Sequence, residues 1–155
     1  MFKTPVAAWR ILKEGARHVL RRPVVGIAAF ATTPDGRVLL IRRGDTRQWA
    51  LPGGTLEWGE QLSVGITREL LEETGARVLR LGELLGVYSD PGRDPRFHAV
   101  TVVVHAEVSQ PESPASNHLE VLEVRAFPRK DLPKELSLGM SEMLAKALKH
   151  ELWWE

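Results

Sequence analysis

The segment from Gly53 to Ala76, GGTLEWGEQLSVGITRELLEETGA, constrains the fold more than any other part of the chain. It places Glu69, Glu72 and Glu73 within one turn of a helix, with Arg68 beside them and Glu60 upstream. Like charges three and four apart on a helix repel by roughly 0.2–0.5 kcal/mol per pair. A helix of this kind needs either full solvation or something positive held between its carboxylates. Val64, Ile66, Leu70 and Leu71 supply apolar positions, and Gly75 is a natural C-terminal stop. Gly53 and Gly54 end the preceding strand, where the lack of a side chain lets a backbone carbonyl approach an ion. The acids offer oxygen alone, which favours hard cations such as Mg²⁺ or Mn²⁺ over zinc. Arg68 has the planar fork needed to hold one carboxylate in place.

Around this segment the chain alternates between strand and helix signals. Residues 5–20, PVAAWRILKEGARHVL, read as an amphipathic helix with Ala8, Ile11, Leu12 and Val19 near one face and Arg10, Lys13 and Arg17 away from it. That helix calls for a packing partner, its own domain or a second copy in a homodimer, and its basic face also suits a membrane surface or an anionic substrate. VVGIAAFATTPDGRVLLIRR reads as a β-hairpin turning at TPDG, where Pro34 presets the turn and Gly36 allows positive φ. Arg21-Arg22 followed by VVGIAAFA imitates an export signal, but Pro23 and Gly26 interrupt it and the run continues into the hairpin. Residues 78–89 read as one or two strands, 97–108 as a strand rich in β-branched residues, and LEVLEVRAFP as another. The segment 137–155 carries Met140, Met143, Leu144, Ala147 and Leu148 at helical spacing and reads as a final helix. The order predicts one α+β domain over residues 1–155, with mixed sheets and outer helices rather than a regular βαβ series.

Composition narrows the class. A chain of 155 residues with 43% apolar and 26% charged content builds one ordinary globular core. A net charge of +1 gives no global pull toward nucleic acid or anionic lipid. The absence of cysteine excludes disulfides and thiolate metal sites and suits a reducing cytoplasm. No apolar run has the length of a membrane span.

Gly54, five residues, Glu60, seven residues and then RELLEETG resembles the Nudix box of the Nudix hydrolases, matched at Gly54, Glu60, Arg68, Glu69, Leu70, Glu72, Glu73 and Gly75. Ala76 stands where a larger aliphatic residue is usual, and Gly65 where alanine is common; neither departure removes a ligand. The preceding hairpin, Trp49 to Gly54, and the late EVRAFPRKDLP are similar to the family as well, whereas the helix over residues 1–22 is not covered. The resemblance implies an α/β/α sandwich with a mixed sheet and Mg²⁺- or Mn²⁺-dependent hydrolysis of a diphosphate linked to a nucleoside. It implies metal ligation by Glu69 and Glu73, helped by Glu72 and the Gly53 carbonyl, with Arg68 orienting the carboxylates and Glu60 bracing Arg68 or reaching the metal through water. The general base varies in such proteins; Glu120 and Glu123 are the candidates outside the box, and ordinary surface charge is the alternative for both.

SDPGRDPRFHAVTVVV is similar to a segment of ADP-ribose pyrophosphatase-like members. Arg93 and Arg96 could bind phosphates or a ribose end with Asp94 fixing their geometry, or Asp–Arg pairs could simply lock the loop. Trp49 and Phe97 could stack on a base or pack beneath the loop. Of Arg42 and Arg43, one could meet phosphate and the other solvent. ADP-ribose or a nucleoside diphosphate sugar is the favoured substrate, and a nucleoside triphosphate is the runner-up. A non-catalytic nucleotide sensor that regulates transcription ranks below both, since no helix-turn-helix fits in residues 1–23 or 136–155, and an interaction protein without catalysis ranks last.

Overall fold

The run that imitates an export signal is the central strand of the sheet. The computed structural model describes residues 22–116 and 119–155, with residues 11, 13, 15 and 16. The helix expected over residues 5–20 lies, those four positions aside, outside the described residues, as do the dimer and membrane readings built on it. In chain order the elements are β1 (Val24–Thr32), β2 (Val38–Arg43), β3 (Trp49–Ala50), β4 (Gly53–Thr55), α1 (Leu62–Thr74), β5 (Val78–Tyr88), β6 (Ala99–Val108), β7 (Val121–Phe127), α2 (Met140–Leu148) and β8 (Trp153–Trp154).

The sheet is mixed. β1 runs parallel to β6 from Val24↔Ala99 to Thr32↔Glu107. Its other edge is shared: the end near Thr32 meets β2 through Ala31↔Leu39 and Thr32↔Val38, and the beginning meets β4 through Gly26↔Thr55, Ile27↔Gly54 and Ala28↔Gly53. β2 also pairs antiparallel with β3 and β7, and β5 antiparallel with β6. The hairpin turns as its residues demand, with Gly36 at φ 79° and its N–H donating to the Thr33 carbonyl at 2.8 Å.

Both faces of β1 are covered, which explains its unbroken apolar run. Ile27, Ala29 and Ala31 pack with Ile66, Leu70 and Ala76 at α1, while Ala28 and Phe30 pack with Met143, Leu144 and Ala147 of α2. The result is the expected α+β arrangement, a mixed sheet between helices.

Two helices differ from expectation. α1 buries Gly65, Ile66, Leu70, Glu73 and Thr74 but leaves Val64 and Leu71 about half exposed, at 55% and 49%. The helix is rotated so that Glu69 and Glu73 turn toward the sheet, which carries Val64 and Leu71 outward. α2 ends at Leu148 instead of running to residue 155. His150 takes a positive φ of 53°, and Trp153 and Trp154 then pair in parallel with Gly86 and Val87 of β5 as β8.

Candidate active site

The site is built where α1 crosses the glycine strand. β4 is hydrogen-bonded along the start of β1 so closely that a Cβ on Gly53 would lie 2.1 Å from the Ile27 carbonyl oxygen. A Cβ on Gly54 would lie 2.3 Å from Glu69 Oε1. These two glycines therefore let β4 sit against β1 on one side and let a carboxylate of α1 reach it on the other. At the far end of α1, Gly75 has φ 67° and donates to the Leu71 carbonyl at 3.0 Å, ending the helix as expected. The unusual Gly65 also has a reason: a side chain there would meet Ile27, Glu60 and Leu56 at 2.8–3.0 Å.

Arg68 organises the acids. Its Nε and Nη2 donate to the two Glu60 oxygens at 2.9 and 3.0 Å, and its Nη1 donates to Glu69 at 2.8 Å and Glu72 at 3.5 Å. Arg68 holds the Glu60 carboxyl down at about 2, with a further hydrogen bond from the Glu57 N–H. Glu73 is in the opposite condition. It is only 7% exposed, accepts the Gly53 N–H at 2.7 Å, and burial pushes its carboxyl up to about 8. Burial raises Glu69 as well, against the pull of Arg68. The charges of Glu69 and Glu120 add to the upward push on Glu73, and Arg43 opposes it.

Part of this network lines a cavity of about 360 Å³, within the range of small-ligand sites. Glu69, Glu73 and Glu120 lie on it with Gly53 and Gly54, and the 89–98 loop contributes Asp90, Arg93, Asp94, Arg96 and Phe97. Arg96 forms a two-point pair with Asp94 at 2.9 and 2.8 Å and reaches Asp45 at 3.1 Å. Asp45 in turn takes a two-point pair from Arg43 at 2.9 and 2.7 Å. Two guanidinium groups are thus held side by side through one carboxylate. Arg93 has its donors committed elsewhere, to Glu155, to Glu142 at 2.8 Å and to the Gly139 carbonyl at 3.2 Å.

Glu72, expected as an assisting ligand, meets Arg68 at 3.5 Å but does not line the cavity. Three further expected site residues fall elsewhere. Arg42 donates to the Arg47 carbonyl at 3.0 Å and approaches Glu123 at 3.8 Å, and it is Arg43 that lines the cavity. Trp49 packs edge-on against Phe127, with centroids 4.8 Å apart, and does not line the cavity. Glu123 does not line it either. The reason is strand parity: Arg42 is the direct partner of both Trp49 on β3 and Glu123 on β7, so all three share one face. Leu39 packs toward α1, and counting in twos from it reaches Arg43. That count was the signal in the sequence for choosing between the two arginines. Asp45 and Glu155 carried no local signal.

The wall offers oxygen donors alone, the kind a hard divalent cation prefers, with Glu73 buried, Glu69 partly buried and Glu120 exposed. In this arrangement the acids rest on protein donors, Glu73 on Gly53 and Glu69 on Arg68. Among the described residues no three carboxylates or histidines stand close enough to enclose an ion.

A mixed sheet between two helices, with an acidic helix facing a glycine strand across a cavity, defines a class of α+β protein whose site is suited to cation and phosphate. The chain belongs to the Nudix family: residues 21–147 match the NUDIX domain. It is 39% identical over 103 residues to an ADP-ribose pyrophosphatase of Methanocaldococcus jannaschii, covering 64% of this chain and 59% of that protein. It is 44% identical over 72 residues to an RNA pyrophosphohydrolase of Caulobacter vibrioides, covering 44% of this chain and 39% of that one. The crystal structure of a MutT NUDIX hydrolase from Burkholderia pseudomallei superimposes with a TM-score of 0.69 at 30% identity, covering 81% of this chain and 98% of that one. The chain spans about half the length of the curated relatives it matches. Family members generally use divalent metals. Among the described residues no helix is long and apolar enough to cross a membrane.

Proposed function

We propose that the protein hydrolyses the diphosphate bond of nucleoside diphosphate compounds, with ADP-ribose or a nucleoside diphosphate sugar as substrate and Mg²⁺ or Mn²⁺ as cofactor. The observation that carries this reading is the placement of Glu69, Glu120 and the buried Glu73 with Arg43 and Arg96 on one cavity. Glu69 and Glu73 would be the main ligands, with Glu72 and the Gly53 carbonyl assisting. A divalent cation bound there supplies neutralisation of the diphosphate and of the charge that develops on the leaving oxygen.

The chain's own groups do the rest. Arg68, locked on Glu60, fixes the direction of Glu69. Arg43 and Arg96 bind phosphate oxygens, exchanging contacts with Asp45 and Asp94 for the ligand. Phe97, 42% exposed at the cavity, offers a flat apolar wall for a base or ribose. Glu120 accepts a proton from the attacking water, whose oxygen bonds to one phosphorus as the bridging P–O bond breaks.

The similarity to the archaeal ADP-ribose pyrophosphatase supports the first substrate class, and the similarity to the RNA pyrophosphohydrolase keeps a triphosphate as the second. A nucleotide panel with Mg²⁺, read by product, separates them. ADP-ribose is expected to give AMP and ribose 5-phosphate, whereas a triphosphate would give a monophosphate and pyrophosphate. No hydrolysis of any nucleotide, with metal present, would overturn the enzymatic reading in favour of a sensor.

The arginines give a second test. Arg96→Ala is expected to raise KM about tenfold with an unchanged melting temperature, because a bidentate charged contact is lost from an exposed loop position. Arg42→Ala should leave KM and kcat as they are. The reverse outcome would mean that the ligand enters from the Arg42 face.

A further inference from the structure

The loop that supplies Asp90, Arg93, Asp94, Arg96 and Phe97 to the cavity is fastened from outside the catalytic helix, and the fastening converges on one carboxylate. Glu155 Oε2 accepts the backbone N–H groups of Ser89 and Asp90 at 2.9 and 2.7 Å and the Arg93 Nε at 3.3 Å. Its Oε1 accepts Arg93 Nη2. Its backbone is held too: the Glu155 N–H donates to the Val87 carbonyl at 3.1 Å, and Ser89 Oγ donates to the Glu155 carbonyl at 3.2 Å. The strand that delivers it, β8, pairs with Gly86 and Val87, where a Cβ on Gly86 would come 2.7 Å from the Trp153 carbonyl oxygen. Lys146 of α2 lies 4.1 Å over the Trp153 ring. Arg93 carries the connection inward. Its guanidinium sits 5.0 Å over the Tyr88 ring and binds Glu142 and the Gly139 carbonyl, and the side chain is only 16% exposed.

We propose that Glu155 is a positioning residue for substrate binding: it holds residues 89–93 in register with the sheet, and so sets where Arg96 and Phe97 stand at the cavity. Arg93 beside it keeps its carboxyl down at about 2, so the clasp stays charged throughout the neutral range. Arg93 is the link in this clasp and not a substrate ligand, which leaves Arg96 as the loop's arginine for phosphate. The hydrogen bonds of Glu155 go to Ser89, Asp90, Arg93 and Val87, on the loop and its approach, so its loss acts on binding and not on the chemical step.

This inference rests on the proposed diphosphatase activity, and the test keeps the two apart. In the full chain, Glu155→Gln removes the charge while preserving size, and Glu151→Gln, whose partner is Lys146 at 3.4 Å, is the control. Hydrogen exchange at residues 89–93 is read without substrate, and KM and kcat are read with ADP-ribose and Mg²⁺. Glu155→Gln is expected to speed exchange of the Ser89 and Asp90 amides about tenfold. It is expected to raise KM about tenfold with kcat within about twofold, while Glu151→Gln changes neither. Unchanged exchange in Glu155→Gln would overturn the clasp. Faster exchange with an unchanged KM would overturn its role in binding, and an equal fall of kcat would place Glu155 in the chemistry. If the unaltered protein hydrolyses no nucleotide, the activity reading fails by itself and the exchange measurement still decides the clasp.

Discussion

Glu73→Gln is expected to abolish nearly all turnover and, in EDTA, to raise the melting temperature. Both effects come from one buried carboxylate. Its ordinary value is 4.5, and burial lifts it to about 8 in the folded protein. Between those values the folded state holds a proton that the unfolded chain has released, so metal-free stability falls as pH rises from about 4.5 to 8 and then levels off. Above that window the folded protein carries a buried charge that costs on the order of a few kcal/mol. Glutamine keeps an oxygen for the Gly53 N–H and carries no charge. A gain of ~2 kcal/mol corresponds to a rise in Tm of roughly 4–8 °C for a chain of this size. The difference should therefore be clear at pH 8.5 in EDTA and vanish near pH 4.5. Mg²⁺ should raise the Tm of the unaltered protein and leave that of the variant where it is, because a cation stabilises only the state that binds it. Loss of a ligand for a charge-neutralising cation is expected to lower kcat about a thousandfold, equivalent to about 4 kcal/mol. A folded variant with a normal rate would remove Glu73 from the metal site.

That prediction explains how well the acidic segment could be read from sequence. The repulsion among Glu69, Glu72 and Glu73, the Arg68 between them and the glycines on either side are local facts, and each has a local cause in the structure. The TPDG turn was equally legible, because Pro34 and Gly36 act through their own backbone angles. The sequence is less legible where the outcome depends on a distant strand. Val64 and Leu71 are apolar positions of α1 that stay about half exposed, because α1 turns its acids toward β4 at their expense. The choice between Arg42 and Arg43, and between stacking and packing for Trp49, turns on strand pairing, which sets Arg42 and Trp49 on one face while Arg43 lines the cavity. The helix read through residue 155 stops at Leu148, since β8 exists only by pairing with β5, far back in the chain. The role of Arg93 was undecidable for the same reason: its principal partner, Glu155, follows it by 62 residues.

Adjacent glycines of β4 provide the sharpest separation of folding from catalysis. On Gly53 a methyl group would meet backbone, the Ile27 carbonyl oxygen at 2.1 Å and the Ala28 Cα at 2.7 Å, and the residue's φ of 154° adds conformational strain. Neither obstacle can move without separating β4 from β1. Gly53→Ala is therefore expected to destabilise the fold by about 3 kcal/mol, a fall in Tm of roughly 6–12 °C. On Gly54 the methyl group would meet Glu69 Oε1 at 2.3 Å and Glu69 Cδ at 2.6 Å, the movable end of a side chain. Glu69 can swing away at little expense to the fold, but it then leaves its 2.8 Å contact with Arg68 and its place on the cavity wall. Gly54→Ala should keep its Tm within about 2 °C, because the displaced atoms are not part of the core. Its kcat should fall about a hundredfold, the scale expected when a ligand or its orienting contact is displaced. Thermal melts and steady-state rates on the two variants at equal folded fraction would distinguish them. A fully active Gly54→Ala enzyme would show that Glu69 does its work from some other position than the one Arg68 gives it, and the assignment of Arg68 as its orienting partner would fall with it.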